Sequence, residues 1–271
     1  MRILGHAGPQ GVSADIHPTA VVSDHAVIGA NCTIGPFCMV GPKVVLGDGV
    51  WLKSHVVVDG NTHIGDDCTV FSFSVIGEIP QDLKFAGEET SLRIGKRNRI
   101  RESVTINTGT AGGGGVTRIG DDCLLMAGCH VAHDAQLGDR IVVVNSVAIA
   151  GHCIIEDDVI IGGLSGIHQF VRIGQGAIIG ALSMVTNDVL PHGLVMGERA
   201  GLEGLNLVGL RRRGVPRDDI SALRRAFESL KSGEGTFHAR VEALQDTDSA
   251  YVKQLVDFVL GDTDRSFLIP K

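Results

Sequence analysis

The sequence predicts an all-β solenoid, a parallel β-helix of hexapeptide repeats, followed by a small α-helical C-terminal domain. Three observations predict it. Branched aliphatic residues recur at every sixth position over most of the chain. Glycine is abundant, at 37 of 271 residues, while aromatics make up only 4%. The six-residue pattern gives way to a helical one after about residue 190. With 44% hydrophobic residues the chain has enough apolar side chain to bury a core. A core short of aromatics and rich in Val, Ile and Leu is narrow and repetitive.

The first run of repeats starts at Ile16 and continues through Val22, Ile28, Ile34, Val40, Leu46, Leu52, Val58, Ile64, Val70 and Ile76. After an irregular stretch it resumes at Ile94, Ile100 and Ile106. It slips by one across "GTAGGGGVT". From Ile119 it continues unbroken through Leu125, Val131, Leu137, Val143, Ile149, Ile155, Ile161, Ile167, Ile173, Ile179 and Val185. A helix turns about 100° per residue, so a period of six scatters these side chains around it. Short strands joined by sharp turns keep them aligned. Glycine after the aliphatic, as in Ile28-Gly29 and Ile173-Gly174, suits such turns. The expected body is a stack of rungs around a thin continuous core. It spans residues 1–195, with excursions near 78–92 and 108–118.

The cysteines follow the same period. Cys32, Cys38, Cys68, Cys123, Cys129 and Cys153 each lie four residues after a repeat aliphatic. Ala26, Ser74 and Ala177 occupy the same slot elsewhere, so it reads as an inward position for small residues. Buried, unreactive thiols are the expectation. The tetraglycine Gly112–Gly115 is not followed by Gly-Lys-Ser/Thr, so it reads as a flexible excursion between coils rather than a phosphate loop.

Residues 196–271 read as the helical domain. Ile220, Leu223, Phe227 and Leu230 share one helical face, with Asp218 or Asp219 as N-cap and Gly233 beyond the C-terminus. Phe237, Val241 and Leu244 suggest a second helix; Val252, Leu255, Val256 and Val259 suggest a third. This domain is expected to cap the last coil, since an open solenoid end needs cover.

A net charge of −7 argues against a nucleic-acid binder, which needs a basic face. Arg211-Arg212-Arg213 is the basic run that stands out. The N-terminal "MRILGHAGPQGVSAD" lacks an apolar core long enough for a signal peptide, and no segment approaches 18 consecutive apolar residues. No integral membrane segment and a cytoplasmic location are expected.

The chemistry is expected near "GCHVAHDAQLGD", residues 128–139. Known hexapeptide β-helices are triangular prisms with eighteen residues per coil. At that count Val131, Ile149 and Ile167 stack on one side of three coils. His133, His152 and His168 follow them by two, three and one residues, so all three fall near one edge. Successive coils are about 4.8 Å apart. His130 sits one corner earlier and Asp134 flanks His133. Three readings compete: solvated turn residues, a metal site, or a general base oriented by the following carboxylate.

The stretches "IHPTAVV", "IGPFCMVGP", "LKSHVVVDG", "QDLKFAGE", "IGKRNRIRESVTI", "LLMAGCHVAHD", "AGH" and "GIHQF" resemble the UDP-N-acetylglucosamine O-acyltransferase family of lipid A biosynthesis. The likeness runs from about residue 16 to 215. It implies a left-handed parallel β-helix, a homotrimer, and active sites between subunits. It implies transfer of an (R)-3-hydroxyacyl group from acyl carrier protein to the glucosamine 3-position of a UDP-sugar, with no metal or organic cofactor. By motif, His133 corresponds to the general base and Asp134 to the residue that holds its imidazole. The Gly151 N–H corresponds to the oxyanion donor. His130, Asp82 and His152 would contact the sugar, and Lys84 and Arg213 the diphosphate. Gln169 and Asn206 would meet the nucleotide, His168 would line the cleft, and Ala181 falls where acyl length is set. Arg211 and Arg212 would face the acidic carrier protein.

Two positions depart from the family pattern. "TINTGT" places Asn107 where relatives carry histidine, and Val208 stands where an acidic residue is usual. A UDP 3-amino sugar acceptor, giving an amide, stays open on that account. A zinc-dependent relative of the γ-type carbonic anhydrases and a non-enzymatic solenoid scaffold also fit the repeat pattern.

Overall fold

A computed structural model describes residues 14–232, 234–261, 263 and 265–270; the segment 1–13 and Gly233, the expected helix terminator, lie outside the described residues. Among the described residues most hexads supply a two-residue strand and a turn, with strands of three or four residues beside the excursions, and the strands stack into three parallel sheets. These wind as a left-handed prism. The coil length of eighteen is explicit in the register. Leu125, Val143, Ile161 and Ile179 pair in succession on the first face. Val131, Ile149, Ile167 and Val185 do so on the second. Ile119, Leu137, Ile155 and Ile173 form the third. From Ile34 onward the repeat aliphatics are buried, and each such side chain contributes about 1.5–3 kcal/mol of transfer free energy.

All six cysteines are free and buried at corners of the prism. The small-residue slot has a second purpose. Each S–H donates to a turn carbonyl of the next coil: Cys32 to Gly47 at 3.1 Å, Cys129 to Val144 at 3.2 Å and Cys153 to His168 at 3.1 Å. Ser165 does the same to Gly180 at 3.0 Å. A small donor thus satisfies a carbonyl that the strand ladder leaves over.

Both excursions leave from one edge, where the chain turns from the second face to the third. Val75–Glu78 lies in the second sheet and Ser91–Ile94 in the third, with residues 79–90 between them. Thr105–Asn107 and Val116–Ile119 flank residues 108–115 in the same way. The ladder continues past both, since Ile64 pairs with Ile94 and Ile94 with Ile119. The tetraglycine run is not the loose excursion expected from its composition. Ala111–Gly113 forms a 3₁₀ turn, and the amides of Gly113 and Gly115 donate to the Thr110 carbonyl at 3.1 and 2.8 Å.

An antiparallel hairpin, Gly193–Met196 and Gly201–Leu205, closes the first face. Four helices follow: α1 Leu207–Arg212, α2 Arg217–Ser232, α3 Phe237–Glu242 and α4 Ala250–Leu260. Helix α2 begins at Arg217, directly after Pro216, so Asp218 and Asp219 lie inside its first turn rather than capping it. There their carboxylates face the positive end of the helix dipole. Asp219 also accepts the Ser249 hydroxyl at 2.7 Å, tying α2 to the start of α4. The helical unit docks on the prism through Arg172. Its Nε donates to the fully buried Asp188 at 2.8 Å, and its Nη2 donates to the Phe258 carbonyl of α4 at 3.1 Å. No helix among the described residues is long and apolar enough to cross a membrane.

Candidate active site

The edge that carries both excursions also carries, on the next three coils, the turns His133-Asp134, Gly151-His152 and Gln169-Phe170. The turns are in step: the His152 N–H donates to the His133 carbonyl and the Phe170 N–H to that of Gly151, both at 3.1 Å. Asp134, His152 and Phe170 share the left-handed backbone region, with φ of 60°, 60° and 64°. Non-glycine residues adopt it at a cost of about 1 kcal/mol each. His133 and Gly151 occupy equivalent places in consecutive turns. The His133 imidazole lies over the Gly151 Cα, where a Cβ would stand 2.5 Å from Cε1 and 2.8 Å from Nε2. Glycine at 151 is therefore a condition for the placement of this ring. Among the described residues its N–H meets no acceptor.

The Asp134 carboxylate is buried and held from several sides. The Thr110 amide donates to Oδ1 at 2.8 Å and the Thr110 hydroxyl to Oδ2 at 2.6 Å. His133 Nδ1 lies 2.9 Å from Oδ2. An ionised carboxylate only accepts, so Nδ1 carries the hydrogen and Nε2 keeps its lone pair. Gly113 packs directly on the carboxylate, and a side chain there would collide with it. The glycine run thus belongs to the site for steric reasons.

His152 stands edge-on to His133, with ring centroids 5.0 Å apart at 85°, and stacks on Phe170 at 4.4 Å and 5°. Burial pushes its pKa below the ordinary histidine value, against the pull of Asp134. His130 points out from the second face, and its Nδ1 bonds the Thr105 hydroxyl at 2.8 Å. Burial, aided by His133, lowers its pKa too. The charges of Asp82 and Lys84, on the first excursion, act on His152. That loop is fastened at two points. Asn107 Nδ2 donates to the carbonyls of Ile79 at 2.9 Å and Glu78 at 3.3 Å. Glu88 accepts the Ala111 amide at 3.2 Å, joining one excursion to the other. A cavity of about 380 Å³ opens against Asp134, His152 and Gly113. Through Arg118, Gln136 and Ile154 it adjoins one of about 850 Å³ beside α4.

The remaining candidate residues make no hydrogen bond or ring contact to this cluster among the described residues. His168 is exposed, and its Nδ1 bonds the neighbouring Gln169 carbonyl at 3.1 Å. Gln169 is exposed on the same edge. Ala181 is exposed on the edge between first and second faces, after the strand Ile178–Ile179. Asn206 and Arg213 sit at the third edge. Asn206 caps α1 by accepting the Gly209 amide at 2.9 Å, and its Nδ2 donates to the Gly176 carbonyl at 3.0 Å. Arg211 and Arg212 are exposed in the last turn of α1, and Val208 is exposed in its first.

His133, Asp134 and His152 each offer a ligand atom within 4.8 Å of the others, a spacing a metal ion accepts. Asp134 Oδ2 is already taken by the Thr110 hydroxyl and the His133 N–H. That donor set fits a carboxylate that orients a base. A buried His–Asp pair beside a free backbone N–H, on a hexapeptide β-helix, is an arrangement that suits an acyl-transfer enzyme.

Comparison with known proteins is specific. Residues 188–268 match the family model described as UDP N-acetylglucosamine O-acyltransferase, domain 2, and residues 153–186 match a hexapeptide repeat of succinyl-transferase. An acyl-[acyl-carrier-protein]–UDP-N-acetylglucosamine O-acyltransferase of Paracoccus denitrificans is 60% identical over 202 residues, 74% of this chain and 77% of its own. That of Agrobacterium fabrum is 46% identical over 261 residues, 95% of this chain and 96% of its own. The solved structure of the Campylobacter jejuni UDP-N-acetylglucosamine acyltransferase superposes with a TM-score of 0.89 at 38% identity, covering 95% of this chain and all of that one. The chain belongs to the acyl-[acyl-carrier-protein]–UDP-N-acetylglucosamine O-acyltransferase family.

Proposed function

We propose that the chain transfers an (R)-3-hydroxyacyl group from acyl carrier protein to the 3-hydroxyl of the glucosamine in UDP-N-acetylglucosamine, the first step of lipid A biosynthesis. The observation that carries the mechanism is the bond between His133 Nδ1 and the clamped Asp134. It leaves Nε2 with the free lone pair that a base needs. As the sugar oxygen attacks the thioester carbonyl, Nε2 takes its proton. The carbonyl electron pair moves to oxygen, and the Gly151 N–H donates to that oxyanion. Such a donor contributes about 3 kcal/mol. Collapse of the tetrahedral species breaks the C–S bond, and the imidazolium returns its proton to the carrier thiolate. This path uses no metal and no organic cofactor.

Asp82, His130 and His152 hold the sugar in this reading, and Lys84 and Arg213 neutralise the diphosphate. Asn206 and Gln169 meet the nucleotide, and His168 lines the entrance. Arg211 and Arg212 receive the acidic carrier, and Ala181 limits the acyl chain. The catalytic turn, Ala181 and Arg213 stand at three different edges of one chain, which supports a homotrimer whose sites lie between copies. A cytoplasmic location accompanies the use of acyl carrier protein.

Replacing His133 by alanine tests the reading. The variant should stay folded and lose about 10²–10⁴-fold in kcat. Retention of full activity with acyl carrier protein and UDP-N-acetylglucosamine would refute it. The same assay with a UDP 3-amino sugar, read by product mass, separates ester from amide formation.

A further inference from the structure

We infer that His192 is a positioning residue that fixes the Arg213 guanidinium in its diphosphate-binding pose; this rests on the reading of Arg213 given above. His192 is 1% exposed, on the edge between third and first faces, and belongs to none of the motifs that carry the family resemblance. Its Nδ1 lies 3.2 Å from Arg213 Nη2 and its Nε2 lies 3.1 Å from Gln254 Oε1 on α4. Gln254 Nε2 donates to Gln175 Oε1, and Gln175 Nε2 donates to Asp158 Oδ2 at 3.4 Å.

Only one assignment of hydrogens satisfies this chain. A guanidinium donates and never accepts, so His192 Nδ1 must present its lone pair. The ring hydrogen is then on Nε2, which requires a carbonyl from Gln254. The Gln254 amide must in turn meet the Gln175 carbonyl, and the Gln175 amide meets a carboxylate. A cation at one end and an anion at the other set the direction of every link. A protonated His192 would have no lone pair for Arg213. Burial and the Arg213 charge push its pKa down to about 4, so it stays neutral near pH 7.

The same residue organises its surroundings. The His192 carbonyl accepts the Asn206 amide at 2.7 Å, so Asn206 as well as Arg213 depends on its placement. Arg213 also packs over Gly176, where a side chain would collide with the guanidinium. An arginine at a helix end otherwise samples many rotamers. Holding it in one lowers the ordering cost of binding a diphosphate.

Four variants test this: His192→Phe, His192→Gln, His192→Asn and Arg213→Ala. The readouts are KM for the UDP-sugar, calorimetric Kd for UDP alone, kcat, and melting temperature. The asparagine Oδ1 can replace Nδ1 as acceptor, and asparagine tolerates the φ of 59° found here. Glutamine reproduces the Nε2 donor but leaves Arg213 without its acceptor. His192→Phe and His192→Gln should raise KM for the UDP-sugar and Kd for UDP about three- to tenfold, with kcat within twofold. His192→Asn should restore both constants to within twofold. A folded His192→Phe with unchanged KM, or a His192→Asn as impaired as His192→Phe, overturns the inference. If His192→Phe does not fold, Gln254→Met decides instead, by the same KM criterion. An unchanged KM in Arg213→Ala overturns the underlying reading of Arg213. A raised KM there beside unaffected His192 variants overturns the positioning role alone.

Discussion

Gly151→Ala separates the placement of the base from the chemistry around it. The added Cβ would stand 2.5 Å from His133 Cε1, whereas relaxed carbon–carbon contact needs about 3.5 Å. The ring must therefore yield by about 1 Å. It has little room to do so. Asp134 is pinned by two bonds from Thr110 with Gly113 packed on it, and the His152 ring stands 5.0 Å away on another side. The movement comes at the expense of the Nδ1–Oδ2 bond or of the Nε2 approach to substrate. A misplacement of about 1 Å costs on the order of 10²-fold in rate. The alanine backbone keeps the N–H, so the proposed oxyanion donor survives, and Gly151 does not occupy the left-handed region that would strain alanine. Initial rates at saturating acyl carrier protein and UDP-sugar should thus show kcat reduced about 10²-fold, with a cooperative melt retained. A kcat within threefold of the parent would refute the steric argument.

Asp134→Asn should keep the fold but reduce kcat about 10³–10⁴-fold, because an amide can hold His133 in the wrong tautomer; steady-state kinetics check it. Burial raises the thiol pKa values of Cys68 to about 11 and of Cys123 and Cys153 to about 12. A thiol reagent at pH 8 should therefore find almost no reactive cysteine in the native protein, and all six of the sequence after denaturation. His192 makes stability pH-dependent. Its pKa falls from 6.5 to about 4 on folding, so the unfolded chain binds a proton that the folded one refuses. Stability is at its full value above pH 6.5 and declines as pH falls toward 4. About 2 kcal/mol of that loss falls between pH 7 and pH 5. Denaturant titrations at the two pH values should show a smaller decline for His192→Asn; an equal decline would exclude His192 as the source.

The rungs were legible in the sequence because period six leaves no other way to align so many branched aliphatics. Known hexapeptide β-helices supplied the count of eighteen residues per coil, and from that count the meeting of His133 with His152 follows. Phase within the turn explains which rings touch. His133 and Gly151 each follow their repeat aliphatic by two residues, so the imidazole settles where the next coil has no side chain. His152 and Phe170 each follow theirs by three and stack. His168 follows its own by one and contacts neither ring. That signal was present for Phe170, whose spacing equals that of His152. Less was available for Thr110, Gly113, Glu88 and Asn107. Thr110, Gly113 and Glu88 act from excursions with no period and Asn107 from the strand end where one of them departs, so only the closing of those loops onto Asp134 and onto each other reveals their part. The capping role given to Asp218 or Asp219 failed for a local reason: Pro216 sets the start of α2 ahead of both.

Because both excursions are extruded from one corner while the ladder runs on beneath them, the walls beside the candidate site are grafts on a ladder that continues past them. Doubling the length of such a graft adds only about 0.6 kcal/mol of closure entropy. A lineage can therefore lengthen or exchange much of these walls, provided the second graft still presents Thr110 and Gly113 to Asp134. Taste in acceptors is, in this architecture, a detachable fitting.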